Sequence, residues 1–292
     1  MTPRRWLVGG FDRSVVAAMR HLPTPAGQAL AGAIARHVAP KLYPRLDAMA
    51  RAAVPRLRPD LAPDATVAAL WDATTRTACE VPCYIRLHDE GRVTTRGEAT
   101  LLALHRDRRP VIVAGLHLGN WEILGLAAHR LGIPVAVVHD PPPAAEFRGQ
   151  LLVRERLRAG ARLLPLGREA TWPALRAVRE GREALYMLVD EVTEGRVMAP
   201  RLGRAEPLGG NLVQAVKLAR LAGAAILPGY ALRLPGPAGD PRFEACFLPP
   251  IEVPRTADRA ADVAAGAAAL DAAIAPAVLR HLEQWFPLLY WR

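Results

Sequence analysis

Residues 111–122 decide the fold, and they read Val111-Ile112-Val113-Ala114-Gly115-Leu116-His117-Leu118-Gly119-Asn120-Trp121-Glu122. The apolar and small residues that lead into His117 have the composition of a buried strand. Gly119-Asn120 is a turn signal that ends this strand. Helix-forming residues follow over 121–131. The stretch therefore predicts a strand, a tight turn and a helix in direct succession.

The same alternation continues along the chain and predicts an α/β fold whose sheet is covered by helices on both faces. Sites in such sheets gather where strands give way to helices. We therefore expect His117 and Asp190 at one sheet edge if their strands are parallel, and Arg156 there if its helix extends over that edge. The predicted strands are 111–116, 134–139, 161–166, 184–189, 224–229 and 243–249, and the predicted helices are 64–86, 121–131, 146–159, 171–181 and 210–222.

His117 and Glu122 form the first candidate catalytic pair. On one continuous helix they would lie about 140° apart, because a helix has about 3.6 residues per turn, but a strand–turn–helix lets the carboxylate hydrogen-bond the imidazole. A histidine so oriented is a general base for a hydroxyl, and the helix start offers N–H groups to an oxyanion. Because no serine or cysteine lies beside His117, we predict direct attack by a substrate hydroxyl on an acyl donor. The alternative is a strand-end histidine and a solvent-facing helix carboxylate.

Beyond this pair, residues 117–122 resemble the H-x4-D/E core of the lipid A biosynthesis acyltransferases, the lauroyl/myristoyl transferase family. The resemblance extends in order and spacing from about residue 45 to the end. It implies a glycerolipid acyltransferase-like fold, with a central mixed, mostly parallel sheet flanked by helices and an N-terminal helical extension. The further matching segments are 156–162 (R-x-R-x-G), 188–195 (V-D-Q…G), 202–205 (F-G-R-P/A), 218–228 (L-A-x-x-T-G-A-x-x-x-P) and 283–285 (E-Q-W).

The resemblance implies an O-acyltransferase that moves a fatty acyl group to a hydroxyl of a lipid A-type glycolipid, with His117 and Glu122 as its general-base dyad. The acyl donor is a thioester of acyl carrier protein or coenzyme A, and neither a metal nor another cofactor is expected. Polar residues of the matching segments are assigned to acceptor or donor binding: Asn120, Arg156, Arg158, Asp190, Glu191 and Arg204.

Each of these assignments has a structural alternative. Arg156 and Arg158 also suit a solvated helix face, and Asp190 and Glu191 also suit a turn-capping pair. Glu191 stands where the family usually has glutamine.

Composition indicates an anionic partner. The chain of 292 residues has a formal net charge of +10, which favours nucleic acid, acidic lipid or a phosphorylated substrate. Only Lys41 and Lys217 are lysines, and the abundant arginine suits a phosphoglycolipid because a guanidinium binds phosphate through two hydrogen bonds. Codon usage in a GC-rich genome is the alternative explanation. Aromatic residues do not interleave with basic ones, which argues against nucleic acid. Three cysteines predict free thiols in a reducing compartment.

The chain is predicted to hold an N-terminal amphipathic helical segment, 1–45, and an acyltransferase domain, 46–292. Pro23 and Pro25 divide the first segment into helices 11–21 and 25–38, which lie either in a membrane interface or on the core of the domain. No uninterrupted apolar run reaches the ~18 residues of a spanning helix, and no signal-peptide pattern is seen. We expect a peripheral protein on the cytoplasmic face of the bacterial inner membrane.

Three other functions stay open at this point. The first is the same chemistry on another bacterial glycolipid or aminolipid. The second is an acyl thioester hydrolase that delivers water with the same dyad. The third is a peripheral membrane protein that binds acidic lipid without catalysis.

Overall fold

The computed structural model describes residues 3–139, 146–165, 168–237 and 239–292. The helices in this part of the chain are α1 (Pro3–His21), α2 (Thr24–His37), α3 (Ala39–Leu42), α4 (Pro44–Leu57), α5 (Pro63–Glu80), α6 (Tyr84–Asp89), α7 (Glu98–Arg106), α8 (Trp121–Arg130), α9 (Phe147–Arg158), α10 (Arg168–Arg179), α11 (Gly210–Ala222) and α12 (Arg259–Arg280). The strands are β1 (Val93–Arg96), β2 (Val111–Gly119), β3 (Val135–His139), β4 (Arg162–Pro165), β5 (Ala184–Leu188), β6 (Val192–Thr193), β7 (Arg196–Val197), β8 (Ala225–Leu234), β9 (Arg242–Phe247) and β10 (Ile251–Glu252). Two 3₁₀ helices, Leu282–Gln284 and Phe286–Tyr290, end the chain.

A mixed, mostly parallel sheet forms the centre of the protein and confirms the predicted fold class. Its strands follow the order β1-β9-β8-β2-β5-β3-β4, and β10 also pairs with β8. The pairs β2–β5, β2–β8, β3–β5 and β3–β4 are parallel, whereas β9 and β10 run antiparallel to β8. Because β2 and β5 are parallel neighbours, their carboxyl ends meet at one edge, as predicted for His117 and Asp190.

Helices cover both faces of the sheet, which explains why β2 is an almost continuous apolar run. Side chains of a strand point alternately to opposite faces. Ile112, Ala114 and Leu116 face a core that they share with α4, α5, α11, α12 and the C-terminal segment. Val111 and Val113 face a second core, built with α6, α7 and α8.

The N-terminal helices pack on the rest of the protein. The predicted helices 11–21 and 25–38 correspond to α1 and α2, and residues 1–2 of the predicted segment lie outside the described residues. Val15, Met19 and Ala31 are buried against Cys79 and Cys83 of α5 and the turn after it. The inner faces of α1 and α2 therefore belong to the core, while membrane contact through their outer faces stays a prediction.

Several elements differ from the sequence prediction. The predicted helix 64–86 is interrupted by a turn at residues 81–83. Several observed elements have no predicted counterpart: α3, α4, α7, α12, β1, β6, β7 and β10. Residue 166 of the predicted strand 161–166 lies outside the described residues. Among the residues searched, α12 is the one helix long and apolar enough to cross a membrane by length and composition. Its apolar face packs on α11 and β8 and contributes Leu270 and Ile274 to the core, which is the position of a core helix.

Candidate active site

His117 lies at a bulge near the carboxyl end of β2. The pairing of β2 with β8 shifts between Gly115 and Gly119, so the backbone N–H of His117 leaves the strand ladder. It donates instead to the Asp190 carboxylate, at 2.9 and 3.0 Å. Gly119 closes the turn with φ of +64°, and a Cβ there would lie 2.0 Å from the carbonyl oxygen of Ala231. Only glycine fits both conditions, which explains the turn signal in the sequence.

Asp190 is the carboxylate that contacts the imidazole. It follows β5, is fully buried, and its Oδ1 lies 2.8 Å from His117 Nδ1. Its Oδ2 accepts a hydrogen bond of 2.9 Å from the indole N–H of Trp285. A carboxylate at Nδ1 requires the imidazole proton on that nitrogen, which leaves Nε2 as the proton acceptor. His117 and Asp190 therefore form the geometry of a general-base dyad.

The structure corrects the predicted His117–Glu122 hydrogen bond. Glu122 lies in the first turn of α8, but its two oxygens accept from Nε and Nη2 of Arg156 at 2.8 and 2.7 Å. Both side chains are buried, and a buried carboxylate requires a cation close by. Asp190 already occupies the Nδ1 side of His117. Burial lowers the pKa of Arg156, but the charge of Glu122 and its hydrogen bonds outweigh this effect, and the net pKa is raised. The Arg156 guanidinium also lies 3.2 Å from Nδ1 of His139 at the end of β3, so this side chain reaches the predicted sheet edge.

Two aromatic rings enclose the imidazole. The rings of His117 and Trp121 meet edge to face with their centroids 5.0 Å apart, and the Phe286 centroid lies 6.0 Å from that of His117. Trp121 and Phe286 also contact each other. The side chain of His117 is 17 % exposed, so part of the imidazole remains accessible beside these rings. An aromatic surround suits a base that becomes cationic, since a cation is attracted to ring faces.

Asn120 is used to fix the turn. Its Nδ2 donates to the fully buried Glu80 at 2.8 Å, while its Oδ1 is buried without a hydrogen-bond partner. Glu80 also accepts from Gln28 of α2 and forms an ion pair with Arg233 of β8. Thr77 donates to the carbonyl oxygen of Gly119. Sequence patterns do not indicate Glu80 or Arg233, because their contacts form only where α2, α5, β8 and the turn meet.

The remaining predicted binding residues lie in different settings. Glu191 follows Asp190, and its Oε1 accepts from the backbone N–H of Asn211 at the start of α11. Burial raises the pKa of Glu191. Arg158 is 66 % exposed and pairs with Glu155. The structure thus brings Glu191 beside the His117–Asp190 pair, whereas the exposed Arg158 pairs with the buried Glu155 of the same helix.

Arg204 supports the C-terminus. Its guanidinium donates to the carbonyl oxygens of Val197, Pro200 and Arg201, and it lies 3.9 Å from the ring centroid of Trp291. Burial lowers the pKa of Arg204. These contacts give its N–H groups a structural use in the described part of the chain.

An apolar cavity of about 550 Å³ shares one lining residue, Phe286, with the surroundings of the imidazole. Phe286 lines this cavity, and its ring centroid lies 6.0 Å from that of His117. Leu46, Trp71, Leu289 and Tyr290 contribute further apolar surface. Phe11, Leu42 and Tyr43 line the cavity as well and are exposed to solvent, at 44 %, 44 % and 52 %. The volume lies within the range of ligand sites in proteins, and the lining suits a hydrocarbon chain.

Comparison with known proteins agrees with this geometry. The family model described as bacterial lipid A biosynthesis acyltransferase matches residues 2–290, nearly the whole chain. No curated protein matches the chain significantly. The match includes the strand–turn–helix of His117, the strand end of Asp190 and the C-terminal segment of Trp285. The chain is therefore an acyltransferase and belongs to the bacterial lipid A biosynthesis acyltransferase family.

Proposed function

We propose that the protein transfers a fatty acyl group from the thioester of acyl carrier protein or coenzyme A to a hydroxyl of a lipid A-type glycolipid. The observation that carries this proposal is the oriented His117–Asp190 pair, together with an apolar cavity lined by Phe286, a ring that also contacts His117. A base beside a hydrocarbon site is what acyl transfer to a hydroxyl needs. The family supports acyl transfer in lipid A biosynthesis, and the donor and acceptor are the proposed parts.

The reaction begins when Nε2 of His117 takes the proton of the acceptor hydroxyl. The oxygen attacks the thioester carbonyl, and Asp190 stabilises the imidazolium that forms. Collapse of the tetrahedral intermediate breaks the carbon–sulfur bond, and the imidazolium returns its proton to the leaving thiolate. A positioned base of this kind contributes roughly 10²–10⁴-fold to the rate.

The start of α8 is suited to stabilise the oxyanion of the intermediate. This helix begins at Trp121, directly after the turn that follows His117, and no side chain caps its N-terminus. The first N–H groups of a helix lack partners within the helix and carry a partial positive charge. We assign the oxyanion to these groups, because donors fixed in advance stabilise the charge that develops.

The acyl chain is placed in the 550 Å³ cavity, and its open side sets how lipid enters. The exposed Phe11, Leu42 and Tyr43 surround this side, with Lys41 and Arg45 exposed nearby in the chain. Apolar side chains flanked by cations suit an anionic bilayer surface. We propose that the protein is peripheral, on the cytoplasmic face of the inner membrane, and that this surface faces the lipid.

Lipid mass spectrometry tests the proposal. A bacterial host that lacks its own late acyltransferases expresses the wild type, His117→Ala or Asp190→Asn, and total lipid and lipid A are compared. We expect one added acyl chain on lipid A with the wild type and none with His117→Ala. An acyl chain added to another glycolipid or to an aminolipid would identify that lipid as the acceptor instead of lipid A. If the purified protein releases free fatty acid from the thioester and no lipid gains an acyl chain, the activity is thioester hydrolysis and not transfer.

A further inference from the structure

The Asp190 carboxylate has one side-chain partner besides His117 in the described part of the chain. Its Oδ1 faces Nδ1 of His117, and its Oδ2 accepts from Nε1 of Trp285 at 2.9 Å. The backbone N–H of His117 completes the set. Trp285 is 0 % exposed, and so is Asp190, so water does not compete for this hydrogen bond.

The C-terminal segment holds the indole in place from both sides. The side chain of Gln284 bonds the backbone N–H and the carbonyl oxygen of Arg233 in β8, at 2.9 and 3.0 Å. The backbone of Trp285 pairs with Leu118 as an antiparallel bridge, one residue after His117. The ring of Trp291 lies 5.7 Å from that of Trp285. The segment is thus bonded to both β2, which carries the bulge, and its neighbour β8. The indole N–H therefore has a fixed direction.

We propose that Trp285 is a positioning residue of the acyl transfer, which holds the Asp190 carboxylate against His117 and limits how strongly Asp190 attracts the imidazolium. The inference rests on the proposed role of His117 as the base. A donor on Oδ2 draws negative charge away from Oδ1, and it also prevents the carboxylate from rotating off Nδ1. Core packing alone would need neither the N–H nor its alignment with Oδ2.

Removing the indole donor is expected to move the acid limb of the pH–rate profile in one direction. In Trp285→Phe, Oδ2 loses its indole partner inside the protein, and the negative charge of Asp190 acts more fully on the imidazole. The protonated, inactive imidazole then persists to higher pH, so the acid limb of the pH–rate profile moves to higher pH. Glu191 and Tyr186 also interact electrostatically with this pair, and both are unchanged in the variant. Their contributions are therefore common to both profiles.

The first experiment compares Trp285→Phe with the wild type in the acyl-transfer assay. We expect kcat to fall about 10- to 100-fold, which is the usual effect of one hydrogen bond to a charged group. KM should stay within about twofold and the acid limb should move to higher pH, since the indole touches no substrate site. Trp291→Phe is the matched control: it removes the neighbouring buried indole, lowers Tm through packing, and leaves the acid limb in place.

A double-mutant cycle with Asp190→Asn tests whether Trp285 acts through Asp190. We expect Trp285→Phe to have little further effect in the Asp190→Asn background, because the carboxylate that it positions is gone. If the reductions in kcat of the two single variants multiply in the double variant, and the acid limb of the pH–rate profile of Trp285→Phe stays in place, the proposal is overturned. Trp285 is then a core residue. If wild-type protein shows no acyl transfer at all, the proposed function fails instead, before any variant is compared.

A spectroscopic readout covers the case in which Trp285→Phe does not fold. Wild-type protein labelled with ¹⁵N in the indole is titrated with acid by NMR. We expect the Trp285 N–H signal to follow the titration of His117, and to lose this dependence in Asp190→Asn. If the chemical shift of the Trp285 indole N–H does not change while His117 is titrated, the proposed coupling is refuted.

Discussion

The Glu122–Arg156 ion pair gives the sharpest test of the site geometry. Replacing Glu122 by glutamine keeps the side-chain shape and removes the charge. In the structure this leaves the guanidinium of Arg156, which is 8 % exposed, without its carboxylate. If Glu122 instead served His117, as the sequence spacing indicated, the same change would act on the base and not on Arg156.

The magnitude follows from burial. Both bonds between Glu122 and Arg156 are short, at 2.7 and 2.8 Å, and both side chains are almost fully buried. Removing one member of a buried pair costs about 3–5 kcal/mol, because the remaining charge is uncompensated. We expect this loss in the free energy of unfolding for Glu122→Gln and again for Arg156→Met. The double variant should cost clearly less than the sum, since no unpaired charge remains.

Urea unfolding followed by tryptophan fluorescence measures these free energies. The exposed pair of Arg176 and Glu180 is the matched control, with side chains 83 % and 48 % exposed. Glu180→Gln should change stability by no more than about 0.5 kcal/mol. In the acyl-transfer assay, Glu122→Gln should keep the acid limb of the pH–rate profile at its wild-type position, because the carboxylate at His117 Nδ1 is Asp190.

Two results would refute this reasoning. One is a Glu122→Gln variant that stays within about 1 kcal/mol of the wild type while Arg156→Met unfolds. The other is an acid limb that moves to lower pH in Glu122→Gln, as expected when an imidazolium loses its carboxylate partner. The first result would show that Arg156 does not depend on Glu122, and the second would return Glu122 to the dyad.

Further predictions concern the cavity, the turn and the buried thiols. Ala78→Phe fills part of the cavity, so the variant should transfer shorter acyl chains in a competition between donors of different length; an unchanged product distribution would place the chain elsewhere. Gly119→Ala should lose at least about 2 kcal/mol of stability, from its positive φ and the clash with Ala231, and a melting temperature equal to that of the wild type would contradict the turn geometry. Burial raises the pKa of Cys79 to about 11 and of Cys83 to about 12. These thiols stay protonated in the folded protein while unfolded ones ionise, so they lower stability as pH rises above about 9, by about 1.4 kcal/mol per pH unit for each thiol. The urea midpoint should fall less between pH 8 and 10 in a Cys79→Ala/Cys83→Ala variant than in the wild type, and equal falls would contradict this account.

Much of the fold could be predicted because its signals are local. Six apolar or small residues before His117 and a glycine turn after Leu118 specify strand β2 and the start of α8. Short strands such as β1 gave no such signal, since Val93–Arg96 alternates between half-buried and exposed positions and takes its stability from pairing with β9. The turn that interrupts the predicted helix 64–86 contains Pro82, a helix-breaking residue that the prediction of one continuous helix did not take into account.

The candidate site also has parts that local sequence patterns predict and parts that they do not. The sequence located His117 and placed Asp190 at the same edge, because strand ends are visible in hydrophobic patterning. It chose the wrong carboxylate for the imidazole, since Glu122 is near in sequence whereas Asp190 lies 73 residues away. It also assigned no role at the site to Trp285, which lies 95 residues along the chain from the carboxylate that it contacts.

Local sequence patterns specify the strand–turn–helix around His117, the α/β class and the edge of the sheet at which the candidate site lies. These depend on apolar periodicity and on turn residues, which act between neighbours along the chain. The contacts of Asp190 with His117, of Glu122 with Arg156 and of Trp285 with Asp190 arise only in the folded protein. Those pairings follow from which strands lie side by side and from the rule that every buried charge must find a partner, and that rule is satisfied only when the whole core has assembled.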